Sequence, residues 1–213
     1  AYTMQLPSGT NADDPKFSQS AVDLRALARA IVRAASAGAN VINISVTACL
    51  APGTGVDMNE LNGAFRWATE VKEVVVINAA GNSGDRRGCK HNPQPDPARP
   101  DDPRNWSDVT TLSVPSMFDD YAVSVGFTDP AGSPSPNSLA GPWVKLGAPG
   151  TEVASLGPNG KVVTAVVDEQ GLAPLAGSSF AAAYVSGVAA LIRSRHPAMT
   201  ADAAVSHTHL RAH

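Results

Sequence analysis

The sequence predicts an α/β domain on a mostly parallel central sheet, and three observations carry that. Helical stretches with one apolar face alternate with short strands, as right-handed crossovers require. The strands at 41–46 and 74–78 are nearly continuous apolar runs, as expected of strands covered on both faces. Both runs end in small and polar residues, Ser45 after the first and Gly81-Asn82 after the second. Sheets of this class carry their functional loops at those carboxyl ends.

Residues 1–20 are polar, contain Pro7, Gly9 and Pro15, and read as a loop. Asp23 opens an amphipathic helix in which Leu24, Leu27, Ala28, Ile31, Val32 and Ala35 recur at helical spacing, with Arg25, Arg29 and Arg33 on other faces. Gly38 stops it. A strand follows over Val41 to Val46, then a loop from Cys49 to Val56 with Pro52, Gly53 and Gly55. Asp57 caps a second helix whose Leu61, Ala64, Phe65 and Ala68 share a face. The strand at Val74 to Asn78 is next.

Residues 83–116 read as one long loop, crowded with Pro and Asp between Asn92 and Trp106. Loops of that length are functional or poorly ordered, and a solvated loop is the plain reading. Tyr121 to Gly126 is a strand with alternating character. Val144 to Gly150 is a short strand into a turn, extended by Glu152 to Ser155. Val162 to Val167 and the return past Gly171 form a hairpin that delivers the chain to Gly177. The alanine-rich, proline-free run from Phe180 to Ile192 is a buried helix that stops at His196-Pro197. Thr200 caps one more helix, although 207–213 offers no apolar face.

A chain of 213 residues with 43% hydrophobic and 16% charged residues suits one domain with a sizeable core. A net charge of -3 argues against a nucleic-acid or anionic-membrane surface. No apolar run reaches the roughly 18 residues of a transmembrane helix, and Ala1-Tyr2-Thr3-Met4 has neither the basic start nor the apolar core of a signal peptide. Cys49 and Cys89 are compatible with a disulfide and equally with two buried thiols. No metal-ligand spacing occurs, and no cofactor is implied.

The chemistry concentrates at Gly177-Ser178-Ser179. Ser179 falls in the first turn of the apolar helix, where unpaired N–H groups and the helix dipole favour negative charge. A serine nucleophile there attacks beside donors for an oxyanion. Taken alone, the stretch reads better as a core helix capped by Ser178 or Ser179.

Three segments together resemble the subtilisin-like serine proteases, the subtilases: Val41-Ile42-Asn43-Ile44-Ser45, Val74 to Asn82, and Gly177-Ser178-Ser179-Phe180-Ala181-Ala182-Ala183, which stands where the family has G-T-S-x-A-x-P. The resemblance implies a three-layer subtilisin-like fold. It implies Ser179 as nucleophile, Asn82 as oxyanion-hole side chain, and Ser45, Val46 and Gly81 lining an extended peptide or protein substrate. Val41 to Leu50, Asp96 to Trp106 and Leu139 to Val144 are similar to the mycosins, the membrane-anchored proteases of mycobacterial type VII secretion systems. That likeness, from about Asp23 to Pro197, implies a Cys49–Cys89 pair formed outside the cytoplasm and an endopeptidase on the extracytoplasmic side of the cell membrane. It also implies a signal peptide and a C-terminal membrane helix outside this chain, and the secretion machinery as partner.

The family uses Asp, His and Ser in that chain order, and its Asp and His motifs do not occur here. His91, His196, His207, His209 and His213 all lie outside the family's context, with His91 the candidate for a substitute base. Ser178 and Ala183 replace the family's Thr and Pro. The expectation is the C-terminal part of a peptidase domain over 1–199, its N-terminal part missing, with a divergent tail at 200–213. Such a chain alone is expected to fold poorly, because its parallel sheet would expose an apolar edge. The rival reading is a catalytically inactive scaffold in the secretion complex. A nucleotide-binding sheet lacks G-x-G-x-x-G, and an α/β-hydrolase lacks G-x-S-x-G.

Overall fold

The computed structural model describes residues 15–84, 89–94, 96, 98–99, 102, 104–168 and 171–210. Helix α1 spans Pro15–Ser36, strand β1 Val41–Ile44, β2 Ala48–Leu50, and α2 Asn59–Arg66, which continues as a π turn over Trp67–Val71. Then come β3 (Val75–Ala79), α3 (Arg104–Ser107), β4 (Leu112–Val114), β5 (Val123–Thr128) and β6 (Val144–Pro149). Strands β7 (Ser155–Leu156), β8 (Val162–Val163), β9 (Ala165–Asp168) and β10 (Gly171–Pro174) lead to helices α4 (Ser178–Arg195) and α5 (Ala201–Leu210).

The central sheet has the order β1-β3-β5-β6 and is parallel throughout. Period-two geometry splits β3 between its faces. Val74 and Val76 face a layer made by Leu27, Ile31, Leu61, Ala64 and Phe65 of α1 and α2. Val75, Ile77 and Ala79, with Val123, Val125 and Phe127, face Ala181, Ala182, Val185 and Ala189 of α4 and Ala201 and Ala204 of α5. Helices on both faces make the three-layer, subtilisin-like α/β architecture that the sequence predicts. The alanines matter physically: they let α4 lie close under the sheet, so its first turn meets the ends of β1 and β3.

Several elements differ from the sequence reading. Helix α1 starts at Pro15, inside the stretch read as loop, because proline at the first helical position loses no hydrogen bond and is preset in φ. Strand β1 ends at Ile44 rather than Val46 and is only partly covered, with Asn43 exposed, because it is an edge strand among the described residues. Residues 48–50, read as loop, pair antiparallel with 112–114. The 83–116 loop thus contains a strand as well as α3, and Cys89, Val109, Leu139 and Trp143 close a small core beneath it. Strand β5 is buried continuously from Val123 to Phe127 rather than on one face. Residues 155–156 pair with 162–163 instead of extending β6.

Other readings hold. The β9–β10 hairpin pairs as expected. Asp57 is one residue ahead of the cap position of α2, which Met58 occupies without a side-chain cap, yet its Oδ1 accepts the Asn59 N–H at 2.9 Å. Thr200 Oγ1 accepts the Ala203 N–H at 3.2 Å at the start of α5. The loop reading of 1–14 and the last residues of the tail lie outside the described residues.

Candidate active site

Gly177 delivers the chain into α4 with φ of +142°, and a Cβ there would stand 3.1 Å from Asn82 Nδ2. Glycine is required by both facts: the conformation is left-handed and the space is already filled. Its N–H donates to the Gly150 carbonyl at 2.8 Å, tying the turn to the end of β6.

Ser178 follows, almost fully buried. Its backbone N–H and its hydroxyl both donate to Asn82 Oδ1, at 2.9 Å and 3.0 Å. The same hydroxyl accepts the Gly81 N–H at 3.1 Å. Two donors on one amide oxygen decide which way the Asn82 amide faces. The oxygen is held against Ser178, and the NH₂ group remains beside the start of α4 as a donor.

Ser179 is half-buried at the mouth of this turn. Its hydroxyl donates to the Ser45 carbonyl at 3.1 Å, and the Ser45 hydroxyl donates back to the Ser179 carbonyl at 3.3 Å. Behind Ser45 the contacts continue. Asn43 Nδ2 donates to Ser45 Oγ at 2.9 Å, and the Ser186 hydroxyl lies 3.1 Å from Asn43 Oδ1 and 2.8 Å from the Ala182 carbonyl. Helix α4 is therefore fastened to the end of β1 at two levels, Ser179 and Ser186, about two helical turns apart.

The turn after β3 has its own polar backing. Ser113 Oγ donates to the Ala80 carbonyl at 2.7 Å, Ser116 Oγ to the Ala79 carbonyl at 2.5 Å, and Ser124 Oγ to the Ser116 carbonyl at 2.8 Å. All three serines are buried, and each hydroxyl finds a carbonyl acceptor in the core. Cys49 and Cys89 form a disulfide with Cα atoms 5.5 Å apart. The Cys89 N–H donates to the Asn82 carbonyl at 2.7 Å. The bridge thus links the segment beyond Ser45 to the segment beyond Asn82.

The structure brings Ser45, Gly81, Asn82 and Ser179 to one edge of the sheet. It brings no histidine to Ser179 among the described residues with hydrogen bonds to it. His196 ends α4, and seventeen residues of helix put it about 26 Å away along the axis. His91 is exposed in the long loop, its carbonyl accepting from Thr110 Oγ1 at 3.1 Å. Among the described residues no group of His, Cys, Asp and Glu is arranged to hold a metal, and no helix is long and apolar enough to cross a membrane. Sequence reasoning missed the parts played by Ser178, Asn43 and Ser186. The one signal for Asn43 was a polar residue inside an apolar strand.

Ser179 in the first turn of a helix, preceded by a residue that fixes the Asn82 amide, at the carboxyl end of a parallel sheet, resembles the arrangement of subtilisin-like proteins. The chain belongs to the Subtilase family, whose profile matches residues 10–213. It is 45% identical to Mycosin-1 of Mycolicibacterium smegmatis over 196 residues, 91% of this chain and 43% of that protein. It is 44% identical to Mycosin-3 of Mycobacterium tuberculosis over 220 residues, 100% of this chain and 48% of that one. Among solved structures, the serine protease MycP1, described as an essential component of the type VII (ESX-1) secretion system, superposes with a TM-score of 0.84 at 45% identity, covering 95% of this chain and 55% of that one. A chain of the periplasmic assembly from the ESX-5 inner membrane complex matches with a TM-score of 0.81 at 43% identity, over 91% of this chain and 47% of that one. The chain therefore spans about half the length of the curated relatives it matches.

Proposed function

We propose that these residues are the nucleophile-bearing part of a subtilisin-type serine endopeptidase that works with a type VII secretion system on the extracytoplasmic side of the cell membrane. The observation that carries the reading is the amide of Asn82, fixed by Ser178, the residue that precedes Ser179 in the first turn of α4. The secretion assignment rests on the likeness to the MycP1 and ESX-5 structures.

In this reading Ser179 Oγ attacks the scissile carbonyl and its proton passes to a base. The oxyanion forms beside Asn82 Nδ2 and a backbone N–H near Ser179. Collapse expels the amine, which takes the proton, and water then releases the acyl group. The substrate lies extended along Ser45 and Val46, adding a strand through main-chain bonds. Its first polar competitor is Ser179 itself, whose hydroxyl occupies the Ser45 carbonyl. A serine hydroxyl needs a base to be nucleophilic, and a carbonyl acceptor cannot act as one. The reading therefore places the base, and the group that orients it, on the Asp and His motifs the family carries upstream.

The same Ser179–Ser45 bond favours the second reading, an inactive scaffold, for any natural form that lacks those motifs. A fluorophosphonate probe separates the two. The 213-residue chain, a version extended upstream through the Asp and His motifs, and the Ser179→Ala variant of each are treated together. Labelling of the extended version that disappears in Ser179→Ala supports the protease. Labelling of neither leaves the scaffold. Labelling of the short chain at Ser179 would place a base within these residues.

A further inference from the structure

We infer that the groove between α1 and α2 docks an acidic segment of a partner protein, with an aliphatic side chain seated over Gly63 and carboxylates held by Arg29 and Arg33. The groove lies in the helical layer on the face of the sheet opposite α4, so it is separate from the site at Ser179.

The charge pattern starts in the sequence. Arg25, Arg29 and Arg33 stand four residues apart in α1, one above the other on the same side of the helix. All three are exposed. Like charges at that spacing repel and weaken a helix. The fold relieves only the first, since Arg25 Nε lies 4.0 Å from Glu60 Oε2 of α2. Arg29 and Arg33 have no ion pair or side-chain hydrogen bond among the described residues. Elsewhere arginines are matched, Arg66 by Glu70 at 2.8 Å and Arg99 by Asp96 at 2.9 Å. Arg33 lies in the last turn of α1, where the helix dipole favours a cation. Arg29, a full turn earlier, has no such support.

Beside these two arginines the surface is hollow. A groove of about 300 Å³ runs between the helices, with Arg29, Val32 and Arg33 on one wall and Glu60 and Gly63 on the other. Ala28 and Ala64 form its floor, and both are buried. Val32 stays 39% exposed on the rim, and a Cβ on Gly63 would meet nothing within 4 Å. Glycine inside a helix costs stability, and here it leaves room for a side chain from outside.

An apolar floor beside two unmatched guanidinium groups fits one kind of occupant. Guanidinium groups grip carboxylates through paired N–H donors. Residues four apart on a helix have Cβ atoms roughly 6 Å apart, so carboxylates one turn apart on an incoming helix match Arg29 and Arg33. An aliphatic residue between those carboxylates then fills the hollow over Gly63. The net charge of the chain is -3, so a broad anionic surface, lipid or nucleic acid, meets a repulsion that a single segment in the groove does not.

The test uses the version extended upstream through the Asp and His motifs. Fluorescence anisotropy follows its binding to a fluorescein-labelled helical peptide whose glutamates stand four apart around a leucine, and to the same peptide with glutamine in place of glutamate. The glutamate peptide should bind about tenfold tighter or more, and the difference should shrink as salt rises. Arg29→Gln with Arg33→Gln should remove the difference. Gly63→Leu, which fills the hollow from an open position, should weaken binding of both peptides. Circular dichroism and probe labelling at Ser179 should stay unchanged in both variants, which separates lost docking from lost folding. Equal affinity for the two peptides, no binding of either, or binding that neither variant alters would overturn the inference. Arginine-dependent binding to phosphatidylglycerol vesicles without binding of the peptide would overturn it too, and make the groove a lipid site. Arginine-dependent peptide binding with no labelling of Ser179 would leave the inference standing and count against the protease reading.

Discussion

Ser178 holds Asn82 by one atom: the amide oxygen of Asn82 accepts both the backbone N–H and the hydroxyl of Ser178, at 2.9 Å and 3.0 Å. The backbone bond alone leaves the amide able to tilt. The hydroxyl, itself fixed by the Gly81 N–H, removes that freedom. Ser178→Ala should therefore lower kcat of the extended version by about tenfold to a hundredfold, with little change in KM, because the oxyanion exists only after attack. Ser178→Thr keeps the hydroxyl and should restore the rate. Steady-state kinetics on both variants check this. A KM effect without a kcat effect would assign Ser178 to substrate binding instead.

Gly177 should tolerate no side chain. Gly177→Ala combines a left-handed φ with a Cβ 3.1 Å from Asn82 Nδ2. The backbone strain alone is worth about 1–3 kcal/mol, and relief by moving Asn82 would cost the oxyanion donor. The expected result in the extended version is a lower melting temperature together with lost probe labelling. Thermal unfolding followed by circular dichroism reads the first, and gel fluorescence of the probe reads the second.

The Cys49–Cys89 bridge closes a loop of 40 residues. Loop-closure entropy predicts that its loss costs about 4 kcal/mol. Cys49→Ser with Cys89→Ser should give that loss in urea unfolding. Because the Cys89 N–H donates to the Asn82 carbonyl, the double variant should also loosen the Asn82 turn and weaken labelling at Ser179 under conditions where the fold persists. Unchanged labelling would show that the turn is held by Ser178 and Ser113 without the bridge.

What could be read from the sequence follows the range of the forces involved. Helix α4 and strand β3 were legible because each is one continuous apolar run, set by its own residues. So was the gathering of Ser45, Asn82 and Ser179 at one end of the sheet, since they stand at the ends of apolar strands and the start of an apolar helix. Strand β2 was not, because three residues carry little pattern and its partner β4 lies some sixty positions away. The first turns of α1 were hidden by Pro15, which signals a loop by composition and a helix start by geometry. The locking of Asn82 by Ser178 depends on tertiary placement, as does the path from Ser186 through Asn43 to Ser45. No periodicity announces either.

Helix α4 carries a last consequence. Its outer face shows Tyr184 at 50%, Val188 at 46% and Leu191 at 72% exposure, with Ala183, Gly187 and Ala190 between them. A helix apolar on every side belongs inside a core, and beside it β1 is an edge strand of the sheet among the described residues. The 213-residue chain by itself should therefore bind a hydrophobic dye strongly and associate as its concentration rises. Replacing Tyr184, Val188 and Leu191 together by serine should reduce both effects without lowering the unfolding midpoint, since those side chains rest on solvent rather than on the sheet. Dye fluorescence, size-exclusion chromatography and urea unfolding on the two chains decide it. A monomeric chain with weak dye binding and one sharp unfolding transition would overturn this, and would show that the four described strands with their helices are a self-sufficient unit.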